Sequence, residues 1–364
     1  MTDVSDLDTP TLLVDLDRME RNIERWQRLA DDAGVRFRVH VKTHKIPAIA
    51  HRQLAAGACG IVCAKVAEAE VFVDAGCADV VVAYPVFGAE KWRRLASLAE
   101  RAQIGVNVDS VEAVEGISSA ARAAAVSIDV YVDVDTGMHR GGLAFVAIDE
   151  LSALCAMVDG LGGLELAGIT THRQLNYADV GDRTPDQAGR DEGARLADVA
   201  EQLRRRGHAI REVAAGGSIS GRGVAAAPGV TELRAGTYVF NDLMQLSAGS
   251  AGEDDLALTV LCTVVSTRQP GGATVDGGSK TFTSERGASD GFARALDRGI
   301  VVDRLSEEHG MAVVAPGESA TLGEKIRFVP THACTAVNLA DELVGVRGDL
   351  VEKVWPILAR GKRT

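Results

Sequence analysis

The chain has 364 residues, 46% of them hydrophobic, and a formal net charge of −12, which is typical of a soluble globular protein with a sizeable core. This acidic balance argues against nucleic acid or an anionic membrane surface as the main partner, because both need clustered lysine and arginine. No apolar run reaches membrane-spanning length, and the acidic residues 1–11 lack the pattern of a signal peptide.

Short, apolar, β-branched runs alternate with amphipathic helical runs over the first two thirds of the chain. The runs that predict strands are, in chain order, TLLVDLD, RFRVHVK, GIVCA, DVVVAYP, QIGVNVD, SIDVYVDVD, LELAGITTH, IREVAAGG and TELRAGTYV. This alternation predicts a parallel sheet covered by helices. About eight such units over roughly 240 residues fit an α/β fold of the (β/α)8, TIM-barrel type. A doubly wound open sheet is the rival, but no GxGxxG follows the first strand.

The pattern changes after residue 246. Segments such as ALTVLCTVVSTRQPGGATVDGGSK carry strand and turn signals at short intervals and few helical periods. The stretch SAGSAGEDD reads as a linker. We therefore predict two domains, a barrel over residues 1–246 and a smaller, mostly β domain over residues 247–364.

Six scattered cysteines accompany this organisation. In a large chain without an export signal we expect them to be reduced thiols, and the protein to be cytoplasmic. Cys59 and Cys63 have a spacing that suggests a metal site, but no matching second pair follows them.

Polar residues lie where several predicted barrel strands end, which is where barrels of this type carry active sites. They are Lys42 after the second strand, and two turns that combine glycine with hydroxyl groups, namely Gly216, Gly217 and Ser218, and Gly236, Thr237 and Tyr238. Two such turns on adjacent strand ends predict a phosphate cradle, although a single glycine-rich turn is mostly just a turn. A lysine that faces a phosphate cradle inside a barrel suggests a Schiff base with pyridoxal 5′-phosphate (PLP).

A second signal lies in THACT, where one residue separates His332 from Cys334. On an extended strand both side chains point to the same face, spaced for one metal ion. An imidazole and a thiolate favour zinc over magnesium or calcium. The spacing alone is common and carries little weight.

These segments together resemble the D-serine dehydratase/D-threonine aldolase family of fold-type III PLP enzymes, with the alanine racemases as more distant cousins. The similar blocks run in the same order along nearly the whole chain: DTPTLLVDLDRMERNI, HVKTHK, VDTGMHRGG, ELRAGTYVFND, VDGGSKTF, EEHG and PTHACTAVNL. The resemblance implies a barrel that carries PLP, a β domain that carries a divalent metal, and a homodimer whose sites lie near the subunit interface.

The resemblance also implies roles for single residues. It makes Lys42 the Schiff-base lysine, whereas Lys45 is expected to start the following helix. Arg140 matches the arginine that contacts the phenolic oxygen of PLP, and His172 matches a histidine that lies against the PLP ring. The metal ligands of the family fall on His332 and Cys334. For His40 and His44, acid–base chemistry and a simple strand-end position both stay open.

The implied activity is that of a lyase acting on a D-3-hydroxy amino acid. Lys42 removes the α-proton while the metal assists departure of the β-hydroxyl, and the products are a 2-oxo acid and ammonia. Cys334 favours this dehydratase over the aldolase alternative, which gives glycine and an aldehyde, because the aldolases typically carry aspartate at that position. The sequence does not choose among D-serine, D-threonine and D-3-hydroxyaspartate.

One block departs from the family pattern and keeps an amino-acid racemase open. The family usually has a tyrosine in the block where Thr170 precedes His172, so the contact that this tyrosine makes with the pyridine nitrogen of PLP is lost or replaced. Arg234 falls where alanine racemases keep an arginine near that nitrogen and is the candidate replacement. A non-enzymatic PLP carrier of the same barrel type is a further alternative, but it does not need residues 247–364.

Overall fold

Two β-sheets organise the protein, and its computed structural model describes residues 2–172, 183–286 and 291–364. The chain forms two compact units. The β unit comprises Met1–Arg25, Thr43–Ile46 and Thr237–Arg360, and the barrel unit comprises Trp26–Lys42, Pro47–Gly236 and Gly361–Thr364. This division differs from the boundary predicted at residue 246, because the N-terminal segment and the short stretch after Lys42 lie in the β unit.

The strands are, in chain order, β1 (Thr11–Asp15), β2 (Arg36–His40), β3 (Gly60–Cys63), β4 (Asp79–Val82), β5 (Gln103–Val108), β6 (Ile128–Asp135), β7 (Leu143–Ala144), β8 (Leu164–Thr170), β9 (Glu212–Ala215), β10 (Glu232–Ala235), β11 (Leu258–Ser266), β12 (Gly272–Val275), β13 (Ala293–Ala295), β14 (Ile300–Leu305), β15 (Gly310–Val314), β16 (Lys325–Pro330), β17 (Glu342–Arg347) and β18 (Leu350–Pro356). The α-helices span Leu16–Ala33, Pro47–Ala55, Val66–Asp74, Ala89–Ala99, Val111–Ala124, Ile148–Gly160, Pro185–Arg205, Gly221–Ala225, Leu243–Ser247, Ser279–Phe282 and Ala333–Leu339.

The barrel unit is built on eight parallel strands in the order β5, β4, β3, β2, β10, β9, β8 and β6, and β6 pairs with β5 to close the ring. Its strands are short and β-branched, and residues such as Ile61, Val62 and Val82 are fully buried. Such strands pack against side chains of the barrel interior on one face and against helices on the other. The predicted TIM-type barrel is therefore confirmed.

The β unit contains the remaining strands in the order β12, β15, β14, β13, β16, β11, β1, β17 and β18. Because β12 also pairs with β11, the first six of these strands close on themselves, with antiparallel neighbours. The predicted mostly-β C-terminal domain is thus confirmed.

Strand β1 corrects one expectation. TLLVDLD does form a strand, but it was predicted to open the barrel series, and it pairs instead with β11 and β17 of the β unit. Leu13 there packs in a cluster with Leu261 and Val344. A short apolar run can form a strand in the barrel sheet or in the sheet of the β unit. The pattern therefore predicts that a strand forms, but not which strands it pairs with.

Two further features limit the class of protein. No helix within the described ranges is long and apolar enough to cross a membrane. All six cysteines fall inside those ranges, and no disulfide bond joins any of them.

Candidate active site

Lys42 lies directly after β2, in a 3-10 turn that spans Val41–Thr43. Its side chain is partly buried, and its backbone N–H donates to Nδ1 of His40 at 3.4 Å.

Lys45 is placed differently. It adopts a left-handed conformation with φ of 58°, and the next helix begins at Pro47, so the prediction that Lys45 starts this helix is wrong. Proline is well suited to the first helical position, because a backbone N–H there would have no acceptor within the helix and proline lacks this group.

His172 follows β8, and its ring is held at one nitrogen. Nδ1 lies 3.0 Å from the carbonyl oxygen of Gly216; because a carbonyl only accepts, Nδ1 carries the proton. Burial, together with the positive charges of Lys42 and Arg140, lowers the pKa of His172 to about 4, against the opposing effect of the hydrogen bond to Gly216. At neutral pH the ring is therefore uncharged, with Nε2 left as an acceptor.

The glycine-rich turn after β9 makes room for this ring. Gly216 has a φ of 112°, a conformation that favours glycine. A Cβ atom on Gly217 would lie only 3.3 Å from Cε1 of His172. Ser218 follows in a turn before the short helix that begins at Gly221. The predicted residues Gly217 and Ser218 thus lie at the same strand end as His172.

Arg140 is exposed and lies on the loop after β6. The loop is fixed by Asp135, whose Oδ1 accepts the backbone N–H groups of Gly137, Met138 and His139 at 2.9–3.0 Å. Its Oδ2 lies 2.8 Å from Nδ1 of His139. These contacts give the sequence DTGMHR a defined conformation that holds Arg140 near His172.

Asp133, two residues earlier on β6, is a site residue that the sequence analysis missed. Burial raises its pKa to about 6, and the carboxylate of Asp109 adds to this shift, against the opposing charges of Arg140 and Arg234. Asp133 therefore titrates close to neutral pH at the end of a barrel strand. The alternation VDVD was the available signal, but it also fits an ordinary strand.

A buried charge network surrounds Arg234 on β10. Its Nε donates to Glu232 at 2.8 Å, its Nη1 to Oγ1 of Thr170 at 3.3 Å, and its guanidinium lies 4.6 Å from the ring centre of Tyr131. Burial opposes ionisation of Glu232, but the adjacent Arg234 and Arg38 outweigh it and lower its pKa to about 2. Within the described residues, Nη2 of Arg234 is buried without a hydrogen-bond partner. An unsatisfied buried donor is costly, so Nη2 is a natural contact for a bound acceptor.

His332 and Cys334 meet in the β unit, but not in the way the sequence analysis predicted. His332 is the N-cap residue of the helix Ala333–Leu339, and Cys334 lies in its first turn, so the prediction of an extended strand is wrong. The strand β16 ends at Pro330 because the chain turns there into the helix. The two side chains still meet, because a hydrogen bond joins them.

The thiol of Cys334 is flanked by two hydroxyl groups of the same unit. Oγ1 of Thr43 lies 3.2 Å and Oγ1 of Thr237 lies 3.7 Å from Sγ of Cys334. Thr237 was predicted for a phosphate cradle, yet its side chain contacts this sulfur, while Tyr238 is fully buried. Gly236, which ends the longest segment of the barrel unit, directly follows β10.

His332 and Cys334 together present an imidazole and a thiol, two side chains of the kinds that bind metal ions. Across the described ranges no group of three or more His, Cys, Asp or Glu side chains is arranged to hold a metal ion. Burial disfavours a charged His332, but the sulfur of Cys334 and the carboxylate of Asp242 outweigh it and raise the pKa of His332 to about 11. The pair therefore holds a proton that a metal ion would displace. Two protein ligands leave positions for water or substrate, as a catalytic metal requires.

Comparison with known proteins places this geometry in a family. Residues 14–243 match the alanine racemase N-terminal domain, and residues 257–346 match a serine dehydratase domain. These matches and the closed barrel define the chain as an alanine racemase-like protein with a dehydratase-type β domain.

Relatives along the whole chain narrow the class. A D-threonine aldolase from Arthrobacter sp. is 37% identical and is matched over 98% of this chain and 93% of its own length. A D-threo-3-hydroxyaspartate dehydratase from Delftia sp. (strain HT23) is 34% identical, and the match covers 90% of this chain and 91% of the relative's own length. A D-threo-3-hydroxyaspartate dehydratase, solved as a cysteine-to-alanine mutant in the metal-free form, is 30% identical with a TM-score of 0.87 over 98% and 99% of the two chains. The chain belongs to this family of D-threonine aldolases and D-3-hydroxyaspartate dehydratases.

The titration of His172 gives a first prediction. Between its folded pKa of about 4 and its usual value of 6.5, the unfolded chain binds more protons, so this residue's contribution to stability falls as the pH drops through that window. When the pH falls from 7 to 5, the free energy of unfolding of the native protein should therefore decrease relative to that of a His172→Gln variant by about 2 kcal/mol. Urea unfolding of the cofactor-free proteins at both pH values measures it.

Asp133→Asn is the matched variant of opposite sign. Because the pKa of Asp133 is raised to about 6 from 3.8, the folded state binds more protons in this window, and its contribution to stability falls as the pH rises. In the Asp133→Asn variant the free energy of unfolding should therefore fall more steeply on acidification than in the native protein. In the His172→Gln variant it should fall less steeply. Parallel pH profiles for native protein and His172→Gln would contradict the assignment of a neutral, partly buried His172.

Proposed function

We propose that the protein is a PLP-dependent and metal-dependent lyase that converts a D-3-hydroxy amino acid to a 2-oxo acid and ammonia. The observation that carries the proposal is the pairing, in one chain, of Lys42 at a barrel strand end with the His332–Cys334 pair. Neither an alanine racemase-like barrel nor a metal pair alone requires this reaction, but β-elimination of a hydroxyl group uses an electron sink at Cα and is assisted by a Lewis acid at the leaving oxygen. The homodimer that the family resemblance implies stays a prediction.

The residues of the barrel unit fit PLP. The unpartnered Nη2 of Arg234 offers a donor to the pyridine nitrogen, and it replaces the tyrosine contact that Thr170 cannot make. Because Gly217 has no Cβ, the neutral ring of His172 can lie against this turn, where the resemblance places it beside the PLP ring. Arg140 supplies a cation for the phenolic oxygen, and the turns at Ser218 and Gly236 offer groups for the phosphate.

In the proposed reaction PLP, when bound, supplies the electron sink for a carbanion at Cα. Lys42 binds the cofactor and takes the α-proton at Nζ. His172, which is uncharged at neutral pH, accepts rather than donates a hydrogen bond at Nε2. Arg234, held by Glu232 through Nε, would donate a hydrogen bond from Nη2 to the pyridine nitrogen. The water lost on elimination of the β-hydroxyl is regained when the C–N bond is hydrolysed, so the 2-oxo acid and ammonia balance the substrate.

His332 and Cys334 are proposed to hold zinc, since an imidazole and a soft thiolate suit this borderline-soft ion. When bound, the metal supplies Lewis-acid assistance to departure of the β-hydroxyl. The metal-free form of a cysteine-to-alanine mutant in the related dehydratase supports a metal at such a cysteine. Within the β unit, the hydroxyl of Thr43 contacts the sulfur of Cys334.

An aldolase is the second candidate, and the 37% identity to a D-threonine aldolase favours it. In that reaction a base removes the proton of the β-hydroxyl, and the Cα–Cβ bond breaks to give glycine and an aldehyde. We favour the dehydratase because Cys334 stands where aldolases typically carry aspartate, and because the family's Tyr-x-Gly-His arrangement is absent from the segment around His172. Residues 173–182, the continuation of that segment, lie outside the described ranges.

Product analysis tests the proposal. Protein reconstituted with PLP and zinc is incubated with D-serine, D-threonine and D-threo-3-hydroxyaspartate, and with D-alanine as a control. We expect ammonia and the matching 2-oxo acid in equal amounts from at least one hydroxy amino acid. Glycine with an aldehyde would assign the aldolase, and L-alanine from D-alanine without ammonia would assign a racemase. Bound PLP without any turnover would indicate a carrier.

A further inference from the structure

Asp242 is a buried carboxylate beside His332, and it has no role in the reaction proposed above. It is fully buried, directly before the short helix Leu243–Ser247. Its Oδ1 accepts the backbone N–H of Gln245 at 2.9 Å. Its Oδ2 accepts the backbone N–H of Ala333 at 2.9 Å and lies 3.0 Å from Nδ1 of His332. One carboxylate thus caps two helices and also contacts the metal-ligand pair.

These contacts fix the proton on the His332 ring. Backbone N–H groups only donate, so both oxygens of Asp242 act as acceptors. The nitrogen that faces Oδ2 must then be a donor, and Nδ1 of His332 carries a proton. Only Nε2 is left to meet the sulfur of Cys334 and to bind a metal.

His332 is an N-cap residue with an extended backbone, φ of −135° and ψ of 117°. Its ring is hydrogen-bonded to Asp242 and to Cys334, so Asp242 contributes to the orientation of the ring. In zinc sites generally, a carboxylate behind the ligating histidine sets the tautomer and raises the basicity of the metal-bound nitrogen. The buried Asp242 occupies that place here.

We propose that Asp242 is a positioning residue for the metal site: it locks His332 in the Nδ1–H form and directs Nε2 at the metal that His332 and Cys334 share. This inference rests on the proposed function, because it presupposes a metal at that pair. It assigns Asp242 no contact with substrate or PLP.

Two variants separate positioning from folding. Asp242→Ser keeps an N-cap oxygen for Gln245, because serine is a good cap, but its side chain is too short to reach His332. Asp242→Asn keeps one acceptor oxygen of the same length, which can face either Gln245 or His332 but not both, and should restore part of the zinc affinity. The matched control is Asp276→Asn in the same unit, whose carboxylate accepts the N–H of Thr263 at 2.8 Å and the hydroxyl of Thr9 at 2.5 Å but touches neither metal ligand.

Zinc affinity of the full-length protein, measured by competition with a chromophoric chelator, is the first readout. We expect the dissociation constant for Zn²⁺ to rise about 100-fold in Asp242→Ser and about 10-fold in Asp242→Asn, the range seen for such partners of ligating histidines. Asp276→Asn should bind zinc like the native protein. The absorbance band of bound PLP should be unchanged in all three.

Nitrogen NMR of the zinc-loaded protein is a second readout that a purely structural role would not move. With the His332 signals assigned through a His332→Gln variant, the native protein should show a protonated Nδ1 and a metal-bound Nε2. Unchanged zinc affinity and unchanged ring signals in Asp242→Ser would overturn the inference and leave the lyase intact. Absence of zinc binding in the native protein would instead remove the metal site itself, and both proposals with it.

Discussion

Replacing Lys42 with alanine is expected to abolish turnover and the visible absorbance of lysine-bound PLP. Lys42 combines two roles in the proposed reaction, since it attaches the cofactor and accepts the α-proton. Loss of a positioned general base alone costs about 100- to 10,000-fold, and the lost attachment adds to this, so kcat/KM should fall at least about 1,000-fold. Borohydride reduction followed by peptide mass spectrometry should place PLP on Lys42 in the native protein and on no lysine in the variant.

Lys45→Met is the matched control, because Lys45 is three residues away and belongs to the same HVKTHK block. Methionine keeps most of the apolar stem, and it occupies the same left-handed backbone as the lysine, so the backbone strain is similar. We expect this variant to keep the absorbance band and borohydride trapping. If Lys42→Ala still traps PLP while Lys45→Met does not, the wrong lysine has been assigned.

The sequence predicted the barrel because its strands carry a local signal. Runs such as GIVC and DVVV are buried on both faces, and this requires a continuous β-branched pattern that is visible without any structure. It did not predict which sheet takes β1, because pairing partners far apart in the chain leave no trace in a five-residue run. The same limit explains the predicted boundary at residue 246, which could not separate Met1–Arg25 or Thr43–Ile46 from the barrel.

In the candidate site, the residues at the ends of barrel strands could be predicted from the sequence. The residues that contact and orient other site residues could not. Lys42, Arg140 and His172 each follow a recognisable strand, and the structure brings their charges close enough to shift the pKa of His172. Asp242 reaches His332 across 90 residues of sequence, so no spacing rule could find it. The THACT pair was found by an argument from strand geometry although the residues lie at a helix start, where side chains two apart also meet.

Removing the metal gives the second large effect, and it should separate two chemical steps. After treatment with a chelator, or in Cys334→Ala, we expect release of the β-hydroxyl to slow roughly 1,000-fold, because Lewis-acid assistance contributes several kcal/mol to such a step. Exchange of the substrate α-proton with deuterated water should continue, since that step needs only Lys42 and PLP. Proton NMR of a D-3-hydroxy amino acid follows both processes in one sample, and the visible absorbance band should be retained.

Cys262→Ala is the control for the loss of a thiol, because Cys262 is fully buried in the same unit and distant in sequence from His332. It should lower stability by leaving a small cavity, yet keep zinc and turnover. Added zinc should restore the chelated native protein but not Cys334→Ala, because the thiolate is part of the ligand set. Full turnover in metal-free protein would remove the metal from the mechanism. Loss of α-proton exchange together with turnover would mean instead that the metal acts before the hydroxyl leaves, at the binding of the substrate.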